Sequence, residues 1–218
     1  MVSSAKGTTL VLGGTGTVGS RIVQLLEAAS LPVLSASREG TGQNGVVFDW
    51  NESDTWGNPF AAAASGKKSG PSSGIRSVYL IAPPTVKPMS VMSFVDFAMQ
   101  QGARRFVLQS ASSFEPGGPA MGKVHAYLRE LGSRGEVEWA VLRPTWFQQN
   151  FIEQPAHVTS IKEESKLYSA TSDGRIPFVS ADDIAAVAIQ ALTRDDPPNT
   201  EYFVLGPEPL SYGDVRDD

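Results

Sequence analysis

An α/β fold built on a doubly wound parallel sheet is what this sequence predicts, on three observations. Short apolar runs alternate with helical patterns over most of the chain. The first strand-like run and the first helical pattern are joined by a glycine-rich turn. The composition, 218 residues with 41% hydrophobic and 19% charged side chains, suits one substantial core.

Thr9 to Leu12 is a short apolar run, and beyond the glycines Val18, Ile22, Leu25 and Leu26 recur at helical spacing. With Val33 to Ala36 as a second buried strand, residues 9–36 form a βαβ unit for which a right-handed crossover is expected. Further strand-like runs follow at Val46 to Phe48, Val78 to Ala82, Phe106 to Leu108 and Trp139 to Leu142. The segment from Met89 to Gln101 carries Met92, Val95, Phe97 and Met99 and stops at Gly102, which marks a helix. Strands separated in this way pair in parallel and are covered on both faces. Ala61 to Gly74 starts as a short helix and passes into a Gly/Ser/Lys stretch, expected to be a mobile surface loop.

Ser180 reads as an N-cap followed by the acidic first turn Asp182 and Asp183, introducing Ile184, Val187, Ala188, Ala191 and Leu192 as a late helix. Glu201 to Leu205 reads as a strand. Ser211 to Asp214 looks like another helix start, and Asp217 and Asp218 sit unfavourably at a helix C-terminus, so that end is expected to fray. The expected organisation is a single domain over residues 1–218: a Rossmann-type core over 1–150 and a small, shortened substrate-side region over 151–218.

The formal charge of -5, with no dense run of Lys and Arg, leaves no footprint for nucleic acid, although a small anionic cofactor stays open. The absence of cysteine excludes disulfides, thiolate metal sites and cysteine nucleophiles. The two histidines, His125 and His157, lack metal-ligand spacing, so no metal site is expected. No apolar span of about 18 residues and no signal-peptide pattern is present, so no membrane partner and a cytoplasmic location are expected.

Gly14-Thr15-Gly16-Thr17-Val18-Gly19, preceded by Gly13, satisfies G-x-G-x-x-G. It follows the first strand and opens the first helix. There, glycines let backbone N–H groups approach a pyrophosphate, and the helix N-terminus favours its charge. A tight strand-to-helix turn alone would also use these glycines. The end of the second strand selects the dinucleotide, since an acidic side chain there pairs with a ribose 2′-OH whereas Arg accommodates a 2′-phosphate. Here Ser37 and Arg38 stand at that point and favour NADP(H), against a reading of Arg38 as a solvated charge. Asp49, followed by Trp50, reads either as an acceptor for the adenine amino group or as a capping Asp, and the turn of Ala82, Pro83 and Pro84 either as lining the nicotinamide side or as a rigid loop.

Short-chain reductases acting on carbonyls use Tyr-x-x-x-Lys to protonate the alkoxide. None of the five tyrosines here has Lys four residues later. Hydride addition to an iminium carbon neutralises an existing charge and needs no such acid, so positioning and electrostatics suffice. Ser110 and Ser112 at the carboxyl end of the fifth strand are candidates for the site, or helix caps. His125 and Tyr127 are candidates to move a proton if their helix faces the substrate, and otherwise are polar positions on an amphipathic helix.

The glycine-rich turn, Phe48-Asp49-Trp50, Gly118-Pro119-Ala120-Met121-Gly122, Leu142-Arg143-Pro144-Thr145-Trp146-Phe147 with Asn150, and Ile176-Pro177-Phe178-Val179-Ser180 together resemble the NmrA-like atypical short-chain reductases. Within that group they look like the fungal festuclavine and agroclavine dehydrogenases of ergot alkaloid formation. The resemblance implies NADPH-dependent reduction of a cyclic iminium formed from an amino aldehyde, with a cationic indole-type amine as small-molecule substrate. It carries Trp146, Asn150 and Tyr168 over as pocket residues, beside a reading in which the aromatics are core and Asn150 satisfies buried backbone, and Met121 is a further substrate-side candidate. Two departures limit the transfer: the family has His where this chain has Tyr127, and its members continue for further helices that close the pocket. A second subunit could supply such a wall, which leaves a homo-oligomer open. Beside the reductase stand two other functions: a non-redox imine cyclase that keeps NADP as scaffold, and an NADP-sensing regulatory protein.

Overall fold

The computed structural model describes residues 7–66 and 74–217. The chain opens with β1 (Thr8–Leu12), α1 (Thr17–Ala28), β2 (Val33–Ser37) and β3 (Gly45–Val47). A 3-10 turn (Ser53–Thr55) and α2 (Asn58–Ala64) lead to β4 (Ile75–Leu80), α3 (Pro88–Gln100), β5 (Arg105–Gln109), α4 (Met121–Ser133) and β6 (Glu138–Pro144). Then come α5 (Asn150–Glu153), α6 (Pro155–Glu164), α7 (Ala181–Thr193), β7 (Thr200–Val204) and α8 (Tyr212–Asp217).

All strand pairs are parallel, in the order β3-β2-β1-β4-β5-β6-β7. Leu10 pairs with Leu34 on one side and Val78 on the other, and Val78, Phe106 and Trp139 continue the row. This is the doubly wound, Rossmann-like α/β fold. The direction of strand addition reverses between β1 and β4, and such a switch point opens a crevice at the carboxyl ends of the strands.

Successive side chains of each strand point to opposite faces, and here both faces are covered. Leu10, Leu12, Leu34, Val78, Leu80, Phe106 and Leu108 pack on one side with Phe60 of α2, Phe94 of α3 and Leu128 of α4. Val11, Tyr79, Val107, Ala140 and Leu142 pack on the other with Ile22 and Leu26 of α1 and Ile184 and Ala188 of α7. Burial on both faces is why these strands read as unbroken apolar runs.

Several boundaries and faces differ from the sequence expectation. Leu25 lies off the buried stripe of α1, which is Val18, Gly19, Ile22 and Leu26. Helix α3 buries Val91, Phe94, Val95 and Ala98, while Met92, Phe97 and Met99 only flank that core. Strand β4 starts at Ile75 and ends at Leu80, so Ala82 belongs to the turn after it. Ala61 to Ala64 are in α2, and residues 67–73 of the expected mobile loop lie outside the described residues.

The Ser180 hydroxyl accepts from the Asp182 N–H at 3.1 Å and caps α7. At α8 the cap is reciprocal: Ser211 Oγ accepts from Asp214 N–H at 3.1 Å, and the Asp214 carboxylate accepts from Ser211 N–H at 2.9 Å. The Asp217 side chain and Asp218, where fraying was expected, lie outside the described residues. Among the described residues no helix is long and apolar enough to cross a membrane.

Candidate active site

The glycine-rich turn is fixed by close backbone approach on both sides. Gly13 has φ +62, and its carbonyl accepts from Gly16 N–H at 2.9 Å. A Cβ on Gly14 would stand 2.3 Å from Ser35 Oγ on β2, and one on Gly19 would stand 2.2 Å from the Gly13 carbonyl oxygen. The turn therefore lies tight against β2, and α1 lies tight against the turn. Gly16 caps α1 without a side-chain hydrogen bond, so the first N–H groups of α1 are left for a ligand in the crevice.

In front of these N–H groups is a groove of about 600 Å³, within the range of about 300–1,000 Å³ found for small-molecule sites. Of the residues predicted to hold a cofactor, Gly13, Thr15, Gly16, Thr17, Val18, Gly19, Arg38, Asp49, Trp50, Ala82 and Pro83 line it. Gly14 and Ser37 do not. Gly14 serves the contact with β2, and the Ser37 hydroxyl accepts from Gly40 N–H at 3.1 Å, holding the β2–β3 turn.

Trp50 makes the apolar wall of the groove. Its Nε1 donates to the Ile81 carbonyl at 3.1 Å, and its ring meets Phe48, Phe94 and Trp56 edge-on at 5.1, 5.4 and 6.3 Å. Thus the loop after β3 is tied to the turn after β4. Asn51, Ile81, Thr85 and Val86 also line the groove and were not singled out from the sequence. Their neighbours Asp49, Trp50, Ala82 and Pro83 were the available signal.

A second cleft, about 330 Å³, opens at the carboxyl ends of β5 and β6, lined by Ala111, Ser112, Ser113, Pro144, Thr145, Trp146, Phe147 and Asn150. It brings together Ser112, Trp146 and Asn150 from the predicted set. Met121 belongs to the core at 8% exposure, and Tyr168 is exposed with its hydroxyl donating to Glu164 at 2.6 Å. Neither lines this cleft.

The structure sets the proton-moving candidates on α4 away from both clefts. Residues 125 and 127 lie about 200° apart around a helix and cannot present one face to a substrate. Tyr127 turns to α3, where its hydroxyl donates to Asp96, and burial with that contact pushes the phenol up to about 12. His125 turns inward, buried against Trp139 at 5.8 Å, with Nδ1 unpartnered and burial holding the imidazole below its usual range. Both stand outside the two clefts. Ser110 directly follows β5, with its N–H on the Leu142 carbonyl at 2.8 Å and its buried hydroxyl without a partner among the described residues. It lines neither cleft.

A contact the sequence gave no sign of ties α5, whose first residue Asn150 lines the second cleft, to the start of α1. Glu153 of α5 accepts a hydrogen bond from Thr17 Oγ1, at the uncapped start of α1. Arg21 braces the same corner, donating to Asp182 at 2.7 Å and to the Thr17 carbonyl at 2.6 Å. Among the described residues no group of three or more His, Asp or Glu is arranged to hold a metal ion.

No family model matches the chain. Among curated proteins it is 48% identical to festuclavine synthase I of Penicillium roqueforti over 214 residues, 96% of this chain and 72% of that one. It is 39% identical to the agroclavine dehydrogenase of Claviceps fusiformis over 215 residues, 96% of this chain and 71% of that one. Among solved structures it is similar to the Citrobacter triphenylmethane reductase complexed with NADP(H), with a TM-score of 0.71 at 17% identity, covering 95% of this chain and 73% of that one. That likeness is one of fold. The identities to the curated proteins, over nearly the whole of this chain, agree with the glycine-rich turn and the site around it: the chain belongs to the festuclavine and agroclavine dehydrogenase family of oxidoreductases.

Proposed function

We propose that this chain is an NADPH-dependent reductase of a cyclic iminium in a small alkaloid precursor, a cationic indole-type amine. One observation carries the reading: none of the eight residues lining the cleft beyond β5 and β6 is titratable. Reduction of a carbonyl there would leave an alkoxide with no titratable side chain in the cleft to protonate it. Reduction of an iminium carbon removes the positive charge already present and yields the amine directly.

The residues fit a dinucleotide. The free N–H groups at the start of α1 suit a pyrophosphate, and Asp49 is available to an adenine amino group. Arg38 is exposed at the groove and makes no ion pair among the described residues, which leaves its guanidinium for a 2′-phosphate. A bound reduced nicotinamide supplies the hydride. The half-exposed Trp146 offers a ring face to a cationic substrate, and Asn150 offers it a neutral polar group.

The test is turnover by the purified chain of cyclic iminium compounds beside matched aldehydes and ketones, following loss of the reduced cofactor's absorbance and product mass together. One cofactor oxidised per amine formed, with iminium compounds only, is the expected result. Product without cofactor oxidation would replace the reading with a cyclase, and cofactor binding without product would replace it with a sensor.

Two variants sharpen it. Tyr127→Phe is expected to leave kcat within about twofold while lowering stability by about 1 kcal/mol through loss of the Asp96 hydrogen bond, checked by turnover and thermal unfolding. A tenfold fall in kcat would return Tyr127 to the site. Glu153→Gln removes a negative charge from the start of α1, and a helix-end charge is worth about 0.3–1 kcal/mol, so dinucleotide affinity is expected to rise about two- to fivefold by calorimetric titration. Unchanged or weaker binding would show that Glu153 and the pyrophosphate do not compete.

A further inference from the structure

We infer that Arg143 is a positioning residue: through Glu115 it fixes the connection between β5 and α4, and with it the Ser112 wall of the substrate cleft. This rests on the reading above, that the cleft beyond β5 and β6 takes the substrate.

Arg143 stands near the end of β6 with its side chain 2% exposed. Its Nη1 meets Glu201 of β7 at 2.7 Å, and its Nη2 donates to the Ser112 carbonyl at 3.0 Å and to Glu115 Oε1 at 2.5 Å. The guanidinium lies 4.3 Å from the centre of the Phe203 ring. One side chain thus grips both neighbours of its own strand.

A role in holding the sheet alone does not account for this arrangement. Backbone pairing already sets the register, with Leu108 opposite Val141 and Val141 opposite Glu201. An apolar side chain would fill the space without the desolvation of a buried charge. What the arginine adds lies beyond β5, where the Ser112 N–H to the Pro144 carbonyl, at 2.9 Å, continues the link to β6.

The rest of that connection is held against its own preference. Ala120, at the start of α4, has φ 48 and ψ -129, a conformation costly for a residue with a Cβ, and such strain persists only where surroundings over-determine it. Gly117 N–H bonds the Gly122 carbonyl at 2.7 Å, and a Cβ on Gly122 would stand 2.2 Å from the Glu115 carbonyl oxygen. The backbone of Glu115 is therefore pressed on the first turn of α4 while its carboxylate meets Arg143. Glu115 is the point at which strand, connection and helix are tied together. The planar fork of arginine reaches these acceptors at once, which the point charge of lysine does not.

The experiment uses Glu115→Gln and Arg143→Lys in the whole chain. Glu115 has 74% of its side chain exposed, so Glu115→Gln leaves the core untouched and folds even if Arg143→Lys does not. Amide hydrogen exchange is read across residues 111–120 and across β6 and β7, with calorimetric dinucleotide affinity and with kcat and KM for the iminium substrate. In Glu115→Gln, exchange in 111–120 is expected to rise about tenfold with β6 and β7 unchanged, a local opening. KM should rise by a similar factor. Dinucleotide affinity should stay within about twofold, because the connection does not line the groove of Trp50 and the glycine-rich turn.

Unchanged exchange in 111–120 overturns the inference. So does a rise spread evenly over β5, β6 and β7, or a parallel loss of dinucleotide affinity, since either marks a general structural role. So does local opening with KM unchanged. The exchange reading requires no substrate; a chain that reduces no iminium in its unaltered form refutes the proposed function, and the exchange result is read independently of it.

Discussion

Gly19→Ala is expected to abolish dinucleotide binding while costing about 1–3 kcal/mol of stability, the range for forcing extra volume into a close-packed site. The added Cβ would stand 2.2 Å from the Gly13 carbonyl oxygen, 2.8 Å from its carbon and 3.1 Å from Gly14 Cα. All three are backbone atoms, so no side chain can swing aside. Relief requires α1 to move off the turn or the Gly13 peptide to rotate, and that carbonyl is the acceptor for Gly16 N–H. Either movement re-aims the N–H groups at the start of α1. The stripe of Val18, Ile22 and Leu26 is still buried, so the helix should survive and the site should not. Calorimetric titration and thermal unfolding check the pair of effects. Binding within twofold of the parent would show that the close approach at Gly19 is not what aims the helix.

Arg38→Ala should weaken NADPH by about 10- to 100-fold, corresponding to about 1.5–3 kcal/mol for a hydrogen bond to a charged group, and leave NADH nearly unchanged. The side chain is exposed and without an ion pair among the described residues, so its removal strands no buried partner and stability should hold. The preference for NADPH over NADH, measured for parent and variant at one ionic strength, isolates the 2′-phosphate contribution. Equal losses for both cofactors would place Arg38 elsewhere on the ligand.

The fold was legible largely because its strands are buried on both faces. Runs such as Val33 to Ala36 and Trp139 to Leu142 have no polar face to break them, whereas β4 was read three residues late because it opens with Ile75, Arg76 and Ser77. Arg76 is outward there, on Glu138 at 3.0 Å. Helices α5 and α6 gave no apolar period to read: α5 has four residues, and α6 buries only Ser160. The glycine-rich groove was visible because its geometry is a matter of backbone and of missing Cβ atoms, which a sequence states directly.

The core position of His125 carried a signal of its own. Met121, Val124, His125, Leu128 and Leu131 form the buried stripe of α4, and that spacing puts the histidine in the core whatever the helix faces. The Glu153 contact with Thr17 spans 136 positions and depends on how α5 is laid against α1. Local pattern holds no information of that kind.

The wall formed by Trp50 has an optical consequence. Trp50 borders the groove, and Trp56 lies edge-on beside it at 6.3 Å, with its own indole N–H on the Asp49 carbonyl at 3.2 Å. Indoles so close exchange excitation efficiently, and reduced nicotinamide absorbs where indole emits while the oxidised form does not. If the groove takes the dinucleotide as proposed, the pair would be an intrinsic lamp beside it, dimmed by the reduced form and brightened as hydride leaves it. Occupancy and redox state could be followed in a single turnover without any label on the protein.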